Sequence, residues 1–166
     1  LEFRRVLFRS VPSATPHLYG VSYSMSGTWI AVGAGGTILT STDGLTWTSQ
    51  TSGTTSDLKA IGNNSTYLNS VTTYTYVAVG ANGTVLTSSD AITWTAQNAN
   101  TSASLNALSS VNQFMTVGNN GTIITSADGI TWTARTSNTT ANLTTLLRAS
   151  NQYVAVSDTG KIIYSK

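Results

Sequence analysis

The acid–base inventory of this chain is short: Glu2, Asp43, Asp57, Asp90, Asp128 and Asp158, one histidine (His17), and no cysteine among 166 residues. Three of the carboxylates recur in one setting, Ser41-Thr42-Asp43-Gly44-Leu45-Thr46-Trp47, Ser88-Ser89-Asp90-Ala91-Ile92-Thr93-Trp94 and Ser126-Ala127-Asp128-Gly129-Ile130-Thr131-Trp132. Glycoside hydrolysis needs two carboxyl groups facing each other across a bond. Calcium needs several oxygens and more than one charge in a single loop. Capping a tight turn needs only one short carboxylate that accepts backbone N–H groups. Each motif brings one carboxylate, so the turn-capping role fits, and no metal or cofactor is expected. Asp57 and Asp158 lack a partner signal, and His17 follows Pro16 in a linker where it reads as solvated. No Cys/His cluster offers a zinc site. Gly33-Ala34-Gly35-Gly36 closes a hairpin rather than opening a helix, which argues against phosphate binding.

The elements that carry these motifs are repeats. Trp29–Thr48 (WIAVGAGGTILTSTDGLTWT) returns as Tyr76–Thr95 (YVAVGANGTVLTSSDAITWT) and as Phe114–Thr133 (FMTVGNNGTIITSADGITWT); a fourth copy, Tyr153–Lys166, stops early. The second turn glycine falls at Gly36, Gly83, Gly121 and Gly160, giving spacings of 47, 38 and 39 residues. About nine extra residues within Ser65–Thr75 account for the long spacing. A leading leucine marks Leu18, Leu58, Leu105 and Leu143, so the repeats run 18–57, 58–104, 105–142 and 143–166. A unit of ~38 residues suits four short strands of a propeller blade and is too long for one solenoid coil.

In the third repeat the strands are expected at Leu105–Ser109, Gln113–Gly118, Thr122–Ser126 and Ile130–Ala134. Asn119-Asn120-Gly121 supplies the tight turn between the middle pair. With 30 Thr, 22 Ser and 13 Asn, uncharged polar residues suited to strands and turns replace the usual lysines and glutamates. The fold class expected is all-β: a β-propeller, as a fragment or a small four-bladed arrangement of four-stranded antiparallel meanders.

The net charge of +2 is misleading. Arg4, Arg5 and Arg9 lie in the first ten residues, and residues 11–166 balance Lys59, Arg135, Arg148, Lys161 and Lys166 against five aspartates. The repeat array is neutral, which argues against a nucleic-acid partner, and no apolar run approaches the ~18 residues needed to cross a bilayer. The segment LEFRRVLFRS resembles the conceptual translation of a short-read sequencing adapter and is set aside as non-native, leaving 11–166 as the partial propeller. Counting 11 residues back from Leu18, the Trp-to-Leu interval of the other repeats, lands inside that segment. At the other end, Tyr164-Ser165-Lys166 aligns with Thr40-Ser41-Thr42. Both ends therefore read as truncated, with further blades of a parent propeller missing. Arg4–Ser10 is expected to pair beside Lys161–Ser165 if the chain closes.

The three motifs resemble the Asp-box, or bacterial neuraminidase repeat, whose pattern is Ser-x-Asp-x-Gly-x-Thr-Trp; here the gap is one residue shorter. With the preceding Val-Gly-x-x-Gly-Thr strand pair, the unit is similar to exported bacterial propellers with photosystem II assembly-factor-like and sialidase-like repeats. The resemblance spans Leu18–Lys166. It implies structural roles for Ser41, Asp43, Gly44, Trp47, Ser88, Asp90, Trp94, Ser126, Asp128, Gly129 and Trp132. The glycine takes a backbone conformation a Cβ disfavours, and the tryptophan packs on a neighbouring sheet. Ala91 in place of glycine is expected to strain that turn or change its type.

Sialidase chemistry would require an arginine cluster and a Tyr–Glu nucleophile pair, yet residues 11–166 hold two arginines and no glutamate. No catalytic residue is therefore expected. The function implied is a non-catalytic exported binding or scaffold module (secreted, periplasmic or cell-surface) for a protein or carbohydrate ligand. The alternative is a fragment of an Asp-box glycoside hydrolase whose catalytic residues lie outside this segment. Tyr67 and Tyr74, in the insertion that only one repeat carries, are the candidate ligand contacts; a longer hairpin extending one blade is the plainer reading of the same residues.

Overall fold

The computed structural model describes residues 16–165. Within them the chain forms four antiparallel meanders laid side by side, each ordered as the chain runs. Unit 1 contains β1 (Leu18–Tyr23), β2 (Trp29–Gly33), β3 (Ile38–Ser41) and β4 (Thr48–Gln50). Unit 2 contains β5 (Leu58–Leu68), β6 (Val71–Gly80), β7 (Val85–Ser88) and β8 (Thr95–Gln97). Unit 3 contains β9 (Leu105–Ser109), β10 (Phe114–Gly118), β11 (Ile123–Ser126) and β12 (Thr133–Arg135). Unit 4 contributes three strands, β13 (Leu143–Ala149), β14 (Gln152–Ser157) and β15 (Ile162–Tyr164).

The second strands of units 2 and 3 are apolar at successive positions because both faces of their sheets are covered by neighbouring units. Ile30 and Val32 of unit 1 meet Tyr76, Ala78 and Leu86 of unit 2 in one core. Val77 and Val79, on the opposite face of unit 2, meet Phe114 and Ile124 of unit 3 in the next. Val117 and Ile123 then meet Leu146, Ala155 and Ile163 of unit 4 in a third. The first strands line up as a series, β1 against β5, β5 against β9 and β9 against β13. Among the described residues no comparable packing joins β13 back to β1. The marker leucines follow this order: Leu58, Leu105 and Leu143 are fully buried, whereas Leu18, with no described unit before it, is 46% exposed.

Between the second and third strands, two successive residues take left-handed backbone: Gly35 and Gly36, Asn82 and Gly83, Asn120 and Gly121. Asn and Gly tolerate this conformation, and the fixed spacing of these pairs sets the strand registers. The largest departure from expectation is the fourth strand. It begins at Thr133 rather than Ile130, because the backbone N–H groups of Ile130 and Thr131 are taken by the Asp128 carboxylate and are lost to the ladder. The second and third strands of that unit also start one residue later, at Phe114 and Ile123.

The insertion of the second repeat is a hairpin. β5 and β6 pair without interruption from Ala60–Val79 to Leu68–Val71, closed by Asn69 and Ser70 with φ of 50° and 63°. That is a two-residue turn of the type whose twist matches its strands. The expected pairing of Arg4–Ser10 with the last strand lies outside the described residues.

Candidate functional site

The three boxes share one geometry. Asp43 Oδ1 accepts the backbone N–H of Leu45 and of Thr46, each at 2.8 Å, and the Ser41 hydroxyl donates to the same oxygen at 2.9 Å. Ser41 Oγ in turn accepts the Gly44 N–H at 2.9 Å. Asp90 holds Ile92 and Thr93 in the same way, with Ser88 capping Ala91. Asp128 holds Ile130 and Thr131, with Ser126 capping Gly129. These donors stabilise the ionised form: the N–H of Thr46, then that of Leu45, lowers the pKa of Asp43 to about 2. Thr93 and Ile92 lower that of Asp90 to about 2, and Thr131 and Ile130 lower that of Asp128.

Ala91 does not change the turn type. It adopts φ 63°, close to 72° at Gly44 and 78° at Gly129, with the same hydrogen bonds. The substitution is absorbed as local strain, and its methyl is fully buried between units 1 and 2.

The tryptophans lie back over the box. Trp132 Nε1 donates to the Gly129 carbonyl at 2.8 Å, Trp94 Nε1 to the Ala91 carbonyl at 3.2 Å. Both reach the core shared with the preceding unit. Trp47, in the unit with no described predecessor, is half-buried.

The other candidate groups are dispersed. Asp57 Oδ1 accepts the Gly35 N–H at 2.9 Å, tying the linker before unit 2 to the turn of unit 1; Asn142 Oδ1 accepts the Asn120 N–H between units 3 and 4. Asp158 accepts from Asn142 Nδ2 at 2.8 Å, and the His17 carbonyl accepts the Ala34 N–H. Tyr67 and Tyr74 lie on the same face of the β5–β6 arm, opposite Thr72 and Ser65. Tyr67 is 72% exposed near the tip, whereas Tyr74 packs on the first core beside Tyr76, ring centroids 6.4 Å apart. Tyr76 itself reaches across to Ser24 and Ser26 of unit 1 at 3.1 and 2.8 Å. Among the described residues no three His, Asp or Glu side chains gather to hold a metal ion, and no helix is long and apolar enough to cross a membrane.

One recurring contact escaped the sequence reading. Gln50, Gln97 and Arg135 donate to Thr40, Thr87 and Thr125 at 2.8, 2.8 and 2.9 Å. Its signal was present: each donor stands three residues after a box tryptophan.

No family model matches the chain, and no curated protein matches it in sequence. Solved structures do resemble it. The computationally designed Ika4 protein superposes with a TM-score of 0.70 at 16% identity, covering 94% of each chain. YCF48 from Cyanidioschyzon merolae, a propeller, superposes with a TM-score of 0.61 at 19% identity, covering 89% of this chain. The fold is a β-propeller. The chain spans about half, 49%, of the YCF48 chain. Its four sheets are laid down as successive blades, and among the described residues no packing comparable to that between neighbours joins the last to the first.

Proposed function

We propose that the chain is a non-catalytic, exported propeller module that binds or scaffolds a protein or carbohydrate ligand. One observation carries this reading: each of the five described carboxylates is engaged by the frame. Asp43, Asp90 and Asp128 cap their own turns, Asp57 holds the neighbouring blade, and Asp158 accepts from Asn142. An acid–base pair drawn from these carboxylates would have to give up bonds that hold turns or neighbouring blades, whereas rigid blades with one projecting arm suit recognition. The arm tip offers Tyr67, Leu68 and Val71, all largely exposed. Tyr67 is the contact residue in this reading, and Tyr74 supports it from the core.

The test has two arms. Incubation with fluorogenic glycosides, a sialoside included, should release no fluorophore above buffer. Release abolished by replacing any of the five aspartates with asparagine would refute the reading. In parallel, glycan-array binding and titration of array hits should fall at least about tenfold in Tyr67→Ala. Unchanged binding by that variant removes the arm from the site.

A further inference from the structure

In blades 2 and 3 the box seats itself on the blade before. A Cβ added at Gly129 would lie 2.8 Å from Val77 Cγ2, and Trp132, 5% exposed, lies in the core that Val77 helps form. Thr87 and Thr75 close on the same point, their Cγ2 atoms 3.3 and 3.4 Å from it. Ile30 plays the part of Val77 for the second box, with Trp94 packed on the same cluster. That box carries a real Cβ, the buried methyl of Ala91, where the third has glycine. A box with a Cβ cannot press so far onto its neighbour, so Ala91 holds the seam between blades 1 and 2 wider than the seam between blades 2 and 3.

Clefts lie between blades 3 and 4, past Met115 and Ser165, and between blades 1 and 2. The second, of ≈280 Å³, is walled by two complete four-stranded sheets. Its floor is set by register. Thr40 stands opposite Ile30 and Thr48 opposite Thr40, so both continue the Ile30 face outward from the core, and Thr28, two residues before Ile30, joins them. Box 1 adds Thr42 and Thr46, and box 2 adds Asp90 and Ile92 from the facing blade. Thr42, Thr46 and Thr48 are exposed, and Thr28 and Thr40 are half-buried. Thr40 Oγ1 accepts from Gln50 and Thr28 Oγ1 from Ser26, which leaves each hydroxyl proton to donate. Asp90 gives Oδ1 to its turn and to Ser88, and Oδ2 serves neither.

We propose that the cleft between blades 1 and 2 binds one neutral sugar ring. No described lysine or arginine lines it, so an anion meets no counter-charge, and a single carboxylate is too few for calcium. The threonine hydroxyls disfavour an apolar guest, because burying them without partners is costly. A sugar supplies what this lining asks for: oxygens that accept from the threonines, a hydroxyl that donates to Asp90 Oδ2, and a C–H face for Ile92. The volume, just under the roughly 300–1,000 Å³ of drug-sized sites, holds one ring and no oligosaccharide. Ala91 sets the width of the opening. Tyr67 does not line the cleft, so the site is independent of the arm contact proposed above.

The test uses the whole chain and four probes, the methyl glycosides of glucose, galactose, mannose and N-acetylglucosamine, followed through amide chemical shifts. At least one should saturate with a Kd on the order of 1 mM, moving the amides of Thr40–Thr48 and Asp90–Thr93 most. Thr48→Val deletes one hydroxyl at nearly constant shape and should weaken that probe at least about fivefold. Ala91→Gly should weaken it by a similar factor while the melting temperature does not fall, because glycine favours the φ of 63° and lets box 2 settle onto Ile30. Failure of all four probes to saturate overturns the proposal, as does binding unchanged in either variant. Shifts centred on Leu68–Val71 would place the sugar at the arm and overturn it too, while leaving the Tyr67 contact standing.

Discussion

A box turn asks its third residue for a carboxylate and its fourth for left-handed backbone, and these demands separate on substitution. Asp128→Ala removes the acceptor for two backbone N–H groups and should cost about 1–3 kcal/mol, read as a lower melting temperature. The pH dependence has a definite sign. With folded pKa values lowered from 3.8 to about 2 at Asp43 and Asp90, this contribution is complete above about pH 4 and is lost as pH falls toward 2. Melting temperatures of the triple Asp→Asn variant at Asp43, Asp90 and Asp128 should fall less steeply over that window than those of the parent. At the fourth position, Gly129→Ala meets both an unfavourable φ and Val77 at 2.8 Å, and should cost about 2–3 kcal/mol. Gly44→Ala has nothing nearer than 3.7 Å and should cost about 1 kcal/mol from φ alone. Chemical denaturation of the pair measures the difference.

At the scale of elements, the β5–β6 arm is the one feature that breaks the repeat. Tyr74 and Tyr76 anchor its base in the core, while Tyr67, Leu68 and Val71 face solvent. Replacing Thr66–Thr73 with Asn-Gly keeps the Ser65–Tyr74 pair and should change stability by less than about 1 kcal/mol in thermal denaturation. Tyr76→Phe should cost about 1 kcal/mol by removing the hydroxyl's bonds to Ser24 and Ser26, which keep only their local partners. The strands themselves were legible because Asn-Gly turns and paired apolar residues recur at fixed offsets. The start of each fourth strand was not. The pattern Ile130-Thr131-Trp132-Thr133 alternates as a strand should, and only the Asp128 hydrogen bonds show that its first half belongs to the turn. The box residues could be read one by one because each box is contiguous in sequence, whereas the cleft between blades 3 and 4 could not, because Met115 and Ser165, which line it, stand fifty residues apart.

For the whole molecule, the repeat is energetically a chain of nearest neighbours. Blade 4 turns Leu147, Ile162 and Tyr164 outward, and blade 1 turns Tyr19, Val21 and Tyr23 outward, all of them exposed. An exposed apolar sheet face with an open edge favours self-association. Light scattering should rise with concentration for the parent chain and less for Ile162→Lys, with the two melting temperatures within about 1 kcal/mol equivalent of each other. Equal scattering would show that this face does not drive association.

The seating of the second and third boxes on the blades before them gives the molecule a direction in time. Trp94 needs the Ile30 floor and Trp132 the Val77 floor, and in both cases the floor precedes the indole in the chain. During synthesis, which proceeds at roughly 5–20 residues per second, every finished blade is already a template when the next tryptophan leaves the ribosome. Burial can then advance blade by blade behind the growing point, with no need to wait for a ring to close.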